Sequence, residues 1–508
     1  MGGTKERLLS KQHCDQLVQY ITEMKFIPGG RYLYYAGRPL HSWNNCYLLR
    51  GEEDTREEWG ALLHRASDCL MSGGGIGIDY SVFRPENAPL KRTGGKSTGP
   101  IPLMKSVNEM GRNVMQGGSR RSAIYASLNW QHEDNIKFLR AKNWHDMRIP
   151  GTDKTVWDAK VSDPNYHAPL DMTNISLNYD DEWLKFPHNG IFWENCKQAL
   201  MTGEPGFSFN FGPKQKETLR NACTEVTSED DSDVCNLGSV NLAEIRDIGE
   251  LRDVTYFASM FLACGSVRSD LPYAKVRQVR EKNRRQGLGL MGIHEWLLRK
   301  NFKYEVNAEL HLWLANWKQC SEHGANDVFD DLGLSRPIAY RAIAPTGTIG
   351  LIASTTTGIE PLYAVAYKRT YLVDGKYWKY QYVIDHTAEY MIRELGLDPT
   401  SIDSAYGMAS DVERRIAFQA DVQDYVDMAI SSTINLPAWG SKFNNEDTVA
   451  SFATILASYA PRLRGFTCYP DGARGGQPLV EVDYATARKN IGVIFEDNDS
   501  CKGGVCGI

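Results

Sequence analysis

Asn221, Cys223 and Glu225 put an amide, a thiol and a carboxylate at alternate positions of one short stretch, and Cys235 follows ten residues later. On an extended or loop-tip backbone, alternate side chains leave on one side, so the three groups can converge on a single small substrate. A carboxylate there can take a proton, an amide can hold a hydroxyl in register, and a thiol can carry the bond-breaking step. Taken alone, the pattern reads more readily as three polar loop residues beside two buried structural cysteines. Its companions are Cys46 in Asn44-Asn45-Cys46, a turn Pro345-Thr346-Gly347-Thr348-Ile349, and Cys501 and Cys506 in the last eight residues.

Such groups need a scaffold, and the chain around them alternates strand and helix signals. Helices are predicted over about 102–115, closed by Gly117-Gly118, over 134–142 and over 192–201, with strands over 123–128, 174–179 and 207–211. That alternation predicts an α/β fold with a largely parallel sheet, and periodicity does not separate a barrel from an open sheet. Leu8, Leu9, Leu17, Val18, Ile21 and Met24 predict an N-terminal helical segment ended by Pro28-Gly29-Gly30. Trp59, Leu62, Leu63, Ala66 and Leu70 mark the core face of a helix over 57–71 that stops at Gly73-Gly74-Gly75. A long helix over 310–329 is structural, since His311 and His323 have no partner at metal-ligand spacing. A last helix is expected over 484–491, followed by an acidic, glycine-containing end that reads as a mobile tail.

Two glycine-rich stretches imitate phosphate loops. Gly94-Gly95-Lys96-Ser97-Thr98 lacks the first glycine of a Walker A sequence, because position 90 is Leu. Gly287-Leu-Gly289-Leu-Met-Gly292 follows Glu281-Lys-Asn-Arg-Arg-Gln rather than a hydrophobic strand, which removes the dinucleotide reading. The turn at 345–349 suits an anion better, because small residues and hydroxyls at a helix start expose backbone N–H groups.

A net charge of −6 gives no electrostatic reason to bind nucleic acid or an anionic membrane, so a small-molecule partner is expected. The longest apolar run, over about 256–267, falls short of the roughly 20 residues of a membrane span, and the first residues do not read as a signal peptide. A cytoplasmic protein is the expectation. Eleven scattered cysteines do not form a secreted disulfide framework, so some should be reduced and reactive.

Together, Asn221-x-Cys223-x-Glu225, Cys46, Cys235, the 345–349 turn, Gly358-Ile-Glu-Pro-Leu-Tyr363, Thr467-Cys-Tyr-Pro-Asp-Gly472 and the C-terminal cysteines resemble the catalytic subunit of ribonucleotide reductase. The likeness runs from about residue 26 to the end and is strongest for the adenosylcobalamin-dependent class II enzymes, in the branch of monomeric triphosphate reductases. It implies a ten-stranded α/β barrel over 46–490 with the Cys223 loop through its centre, an N-terminal segment over 1–45, a redox-active tail over 491–508 and no ATP-cone.

For the site, the resemblance implies a Cys223 thiyl radical that takes the 3′ hydrogen of a ribonucleotide, Glu225 as base for the 3′-hydroxyl, and Asn221 holding the sugar. Cys46 and Cys235 become the reducing pair. They lie 189 positions apart (235 − 46), so only the tertiary fold can join them. Cys501 and Cys506 would regenerate them by thiol–disulfide exchange with a thioredoxin-like reductant. Pro345 to Ile349 would hold substrate phosphates. Asp54, Thr55 and Arg84 would bind a dNTP or ATP specificity effector, with 84–95 and 166–173 as the specificity loops. No protein side chains are expected to hold a metal.

Class I relatives carry an adjacent Tyr-Tyr pair where this chain reads Cys468-Tyr469-Pro470, and a glycyl-radical Arg-x-x-Gly-Tyr segment is absent. That leaves adenosylcobalamin as radical source. Without an Asp-x-His-x-x-Gly signature it is expected to bind with its own base on cobalt. The rival readings are a class I-type catalytic subunit and a nucleotide-binding thiol-redox protein without radical chemistry.

Overall fold

The structure is a computed structural model that describes residues 10–114, 121–163, 165–373, 377–473 and 479–496. Five strands, β1 (Cys46–Arg50), β2 (Gly75–Asp79), β3 (Ile124–Asn129), β4 (Thr173–Tyr179) and β5 (Gly206–Phe209), lie side by side and parallel. A small hairpin comes next, β6 (Leu219–Arg220) with β7 (Thr227–Ser228). The second half starts with β8 (Asp233–Asn241), parallel to β9 (Gln286–Met291). Parallel bridges Leu288↔Arg341 and Ile343↔Ile430 carry the ladder through residues 341–343 to β10 (Thr433–Leu436), which is parallel to β11 (Gly465–Pro470).

The halves join antiparallel at two seams, β8 on β1 and β11 on β5. Counting 341–343 as a stave, five and five make a ring of ten. Closure leaves no staves with open edges, and it bears out the α/β barrel. Near-continuous burial of the staves follows from their position: β8 is buried at all nine residues, with helices outside it. The long helices Ile248–Arg268 and Ala308–Asp331 pack on each other and cover β8 and β9 through Leu262, Trp313, Leu314 and Trp317. A second apolar layer, with Leu62, Leu70, Trp183, Phe192 and Phe452, covers the first half.

Local rules set the element ends. Thr55 caps the Arg56–Met71 helix by accepting the Glu58 N–H at 3.1 Å, and Gly203, at φ 81°, ends the Gly190–Thr202 helix. The helix expected over 134–142 is only Asn135–Leu139, since Arg140 ends it and Lys142 reaches instead to the Thr173 carbonyl. Gly117-Gly118 lies outside the described residues. The glycine-rich 287–292 stretch is the stave β9 and its exit.

Two expectations of organisation change. The N-terminal segment is helical over Lys11–Thr22 and Gly30–Tyr35, but Phe26–Pro28 forms a strand antiparallel to β8. The tail expected from 491 begins instead as a strand, Ile494–Glu496, at the edge of a four-stranded sheet with Leu479–Glu481, Ala366–Val373 and Tyr377–Ile384. The helix Tyr484–Asn490 packs on this sheet, with Ala487 against Ala366 and Ile384.

Candidate active site

The β6–β7 hairpin stands inside the barrel, and glycine makes the room. A Cβ on Gly77 of β2 would overlap the Arg220 carbonyl, and one on Gly75 would lie 3.2 Å from the Ala222 Cβ. Asn174 of β4 donates to the Ala222 carbonyl at 3.3 Å, and Ala429 donates to the Glu225 carbonyl at 2.8 Å, so both halves grip the tip. At its root Arg220, fully buried, donates to Asn210 Oδ1 at 2.8 Å and to the Arg464 carbonyl at 2.9 Å.

The tip is a turn rather than an extended strand. Thr224 sits at φ 72°, its N–H donates to the Asn221 carbonyl at 3.0 Å, and the Asn221 Oδ1 accepts the Val226 N–H at 2.9 Å. Cys223 is thereby exposed at the apex while Asn221 and Glu225 are buried. Asn221 also donates through Nδ2 to Cys46 Sγ at 2.9 Å, which ties the tip to β1.

Cys46 and Cys235 are direct cross-strand partners at the seam of the two halves. Opposed Cα atoms in an antiparallel pair lie roughly 4.5–5.5 Å apart, inside the roughly 4.4–6.8 Å that a disulfide needs. Gly287 of β9 permits the approach, since a Cβ there would overlap Leu237 and come within 3.1 Å of Cys235 Sγ.

Burial sets the protonation states. Desolvation pushes the Glu225 carboxyl up from 4.5 to about 7, against the hydrogen bond from Asn221. Its Oε2 is buried with no hydrogen-bond partner among the described residues. Desolvation also pushes the Cys46 thiol well up, followed by the Glu225 charge, and the Cys235 thiol well up, followed by the Asp233 charge. Both are held as S–H, able to give a proton.

Beside the tip, residues 345–349 start a short helix, Gly347–Ile352. Its cap, Thr346, lies at φ 51° and accepts the Gly358 N–H on Oγ1 at 2.8 Å. An open cavity of about 690 Å³ adjoins this turn, between Pro345 and Gly347, the stave residues Ser431, Thr433, Asn435 and Tyr469, and Tyr367 and Val383 of the outer sheet. Thr348 is exposed beside it, whereas Ile349 packs with Ile27 and Met291.

Glu360 was missed as a site residue, although the Gly358-Ile359-Glu360-Pro361 stretch stood out. It lines the cavity, accepts the Thr433 N–H at 2.7 Å and pairs with buried Arg415 at 2.6 Å. A lone carboxylate after a run of hydroxyl residues was the available signal. The tip residues do not line this cavity, and Ser431, two residues past the Ala429 contact to Glu225, links the two.

Asp54, Thr55 and Arg84 do come together, around a cavity of about 210 Å³ with Trp59, Phe83 and Lys96. Arg84 Nε donates to Asp54 Oδ2 at 2.5 Å and its Nη2 to the Asp54 carbonyl at 3.0 Å. Thr55 serves its helix cap and this cavity at once. Cys501 and Cys506 lie outside the described residues. Among the described residues, no cluster of three or more His, Cys, Asp or Glu could hold a metal, and no helix is long and apolar enough to cross a membrane.

A family profile described as ribonucleotide reductase, barrel domain, matches residues 44–185, 185–313 and 335–469, which takes in the finger, both seam cysteines and the 345–349 turn. The chain belongs to the ribonucleotide reductase family. A vitamin B12-dependent ribonucleoside-diphosphate reductase of Mycobacterium tuberculosis is 27% identical over 92% of this chain and 74% of its own length. Its namesake from Thermoplasma acidophilum is 24% identical, over 92% and 66%. A Mycobacterium phage D29 protein, provisionally named an adenosylcobalamin-dependent ribonucleoside-triphosphate reductase, is 24% identical over 92% and 76%. Among solved structures, the Actinobacillus ureae class Id ribonucleotide reductase alpha subunit has the same fold, with a TM-score of 0.70, 15% identity and coverage of 92% and 91%. This reductase thus sets Cys223 at the tip of a finger that the barrel encloses.

Proposed function

We propose that this reductase converts ribonucleotides, as triphosphates, to 2′-deoxyribonucleotides with adenosylcobalamin as its cofactor. The observation that carries the chemistry is the exposed Cys223 thiol beside a buried carboxyl and two opposed buried thiols. The cofactor, when bound, supplies the radical that oxidises Cys223. The Cys223 sulfur takes the 3′ hydrogen, and Glu225, near half-ionised at neutral pH, takes the 3′-hydroxyl proton. A thiol of the Cys46–Cys235 pair protonates the leaving 2′-hydroxyl, which departs as water. The other thiol of the pair gives its hydrogen to C2′, so the pair supplies two electrons and ends as a disulfide; Glu225 returns its proton to the 3′-oxygen, and Cys223 returns the hydrogen to C3′. Asn221 is the positioning residue, bridging Cys46 and the finger backbone so that acid and base share one frame.

The cavity fits the cofactor chemically. Among the described residues no Lys or Arg lines it, Leu362, Val383 and Ile384 give an apolar wall, and Thr355, Ser431, Thr433 and Asn435 offer partners to an amide-fringed macrocycle. We take the base-on form, in keeping with the missing histidine signature. The phosphates fall to backbone N–H groups at 346–349 beside Pro345. The Asp54, Thr55 and Arg84 cavity takes the dNTP or ATP effector. Cys501 and Cys506 pass electrons from a thioredoxin-like protein to Cys46 and Cys235. The chain acts as a monomer.

Triphosphate rests on Gly29-Gly30-Arg31, which resembles the branch of monomeric triphosphate reductases, and on the phage relative, while the other two relatives are named for diphosphates. An anaerobic assay with each nucleotide, adenosylcobalamin and dithiothreitol tests the reading. Activity only with added iron, manganese or a second protein overturns the cofactor assignment, and faster turnover of diphosphates overturns the substrate. Light scattering of the active protein tests the monomer.

A further inference from the structure

The finger stands on a group of buried cations that its carboxylates do not balance. Arg285, just before β9, donates through Nε to Asp233 at 2.7 Å, and Arg464, just before β11, donates through Nη2 to Glu217 at 3.0 Å. Lys214 donates only to the Asp427 carbonyl, because the Asp427 carboxylate is taken by Arg341 at 2.7 Å. Arg220, at the finger root, has three neutral acceptors on its Nη2: Asn210 Oδ1 and the carbonyls of Phe209 and Arg464. No carboxylate among the described residues pairs with it. Asp79, on the neighbouring stave β2, is held by the Thr218 and Ser81 hydroxyls instead.

Arg464 Nε also donates to the Phe209 carbonyl, at 3.3 Å, so two buried guanidinium groups stand on one oxygen. Each keeps its Nη1 buried with no hydrogen-bond partner among the described residues. The buried Tyr125 hydroxyl beside them has none either, and it lies close enough to feel the Arg220 charge. Desolvation and then the Arg464 charge push Arg220 down from 12.5 to about 9 and Lys214 from 10.5 to about 8. A guanidinium nevertheless stays protonated inside proteins, so Arg220 needs a counter-charge. A water molecule would satisfy the free N–H groups and leave that charge unbalanced, whereas an anion does both.

We propose that Arg220 Nη1, Arg464 Nη1 and the Tyr125 hydroxyl bind one small inorganic anion of the halide class, enclosed at the root of the finger. All three residues are more than nine-tenths buried, which leaves no opening for a nucleotide phosphate. The site is also apart from the finger tip. Ala222 of the tip meets Gly75 and Asn174, at the starts of β2 and β4, whereas Arg220 bonds to Phe209, the last residue of β5. The anion neutralises Arg220 and fixes the residue that precedes Asn221.

The intact protein is crystallised from sodium bromide, and is melted at constant ionic strength with chloride or bromide replacing gluconate. Anomalous density should show one bromide in contact with both Nη1 atoms. Raising either halide from about 1 to about 100 mM should raise Tm by about 2–5 °C. Arg220→Gln, which lacks the charge, should show no halide-dependent shift. Should that variant not fold, Tyr125→Phe removes one donor alone and should lower halide affinity several-fold. A water without anomalous signal at this place, a wild-type Tm indifferent to halide, or an unchanged shift in the variants overturns the site. Bromide found there only at crystal concentration, with Tm unmoved, is adventitious and overturns it as well.

Discussion

Replacing Glu225 by Gln tests whether burial, rather than a charged partner, sets the ionisation of the proposed base. The folded carboxyl sits at about 7 and the ordinary value is 4.5. Below pH 4.5 both folded and unfolded chains hold the proton, and nothing is lost. Between 4.5 and 7 the unfolded chain releases it first, so stability falls as pH rises, and above 7 the full penalty stands. At about 1.36 kcal/mol per pH unit the gap is worth roughly 3 kcal/mol. About 1.4 kcal/mol of it is already present at pH 5.5 and nearly all at pH 8.5. The neutral amide carries none of it, so the stability of Glu225→Gln relative to the wild type should rise by about 2 kcal/mol between those pH values. A constant offset from the new amide cancels in that comparison. Urea unfolding of both proteins at both pH values reads it directly. The wild-type rate should rise through about pH 7 with a single ionisation, and the variant should not turn over. An unchanged stability difference across the two pH values would falsify the burial argument, since Glu225 would then ionise alike folded and unfolded.

Single contacts give further expectations. Cys223→Ser should abolish deoxynucleotide formation while nucleotide binding, read by equilibrium dialysis, stays intact; product from the pure variant removes Cys223 from the chemistry. Gly347→Val places a side chain where a Cβ meets nothing within 4 Å, so the fold should hold while KM for substrate rises several-fold; an unchanged KM takes the turn out of the phosphate site. Gly77→Ala drives a methyl into the Arg220 carbonyl and should cost about 1–3 kcal/mol together with most activity; wild-type turnover would mean that the finger does not depend on β2 for room. Arg84→Ala frees Asp54 and should weaken effector binding by calorimetry without altering the basal rate, and equal affinity refutes the assignment.

Much of the site was legible because its chemistry is written locally. Asn221, Cys223 and Glu225 sit on one tip, and the Thr55 cap is a one-turn signal. The alternation of strands and helices likewise gave the first half of the barrel, where successive staves are neighbours. The pairing of Cys46 with Cys235 was not in the spacing, because the antiparallel seam exists only once both halves have formed. Residues 341–343 are too short to show a strand period, although the ring needs them. Gly287 and Gly289 imitated a nucleotide fingerprint because a stave packed against thiols and backbone needs the same missing side chains as a phosphate loop. Glu360 stayed silent for a related reason: its value lies in Arg415 and Thr433, 55 and 73 residues away.

One physical cause links the proposed acid and the proposed base. The enclosure that lifts Glu225 to about 7 also keeps Cys46 and Cys235 as thiols, although each has a carboxylate near enough to add to the effect. In open solvent Glu225 would be fully ionised at neutral pH and a weaker base. The seam thiols would carry about a few per cent of thiolate at neutral pH, which burial removes. Asn221 holds the balance, since its bond to Cys46 favours the thiolate and its bond to the finger fixes the distance. Cys223 escapes this enclosure because Thr224 turns the chain at φ 72° and presents the apex outward. A straight strand through the same barrel would bury Cys223 along with Glu225 and Cys46, leaving the substrate of the proposed reaction nowhere to meet all three.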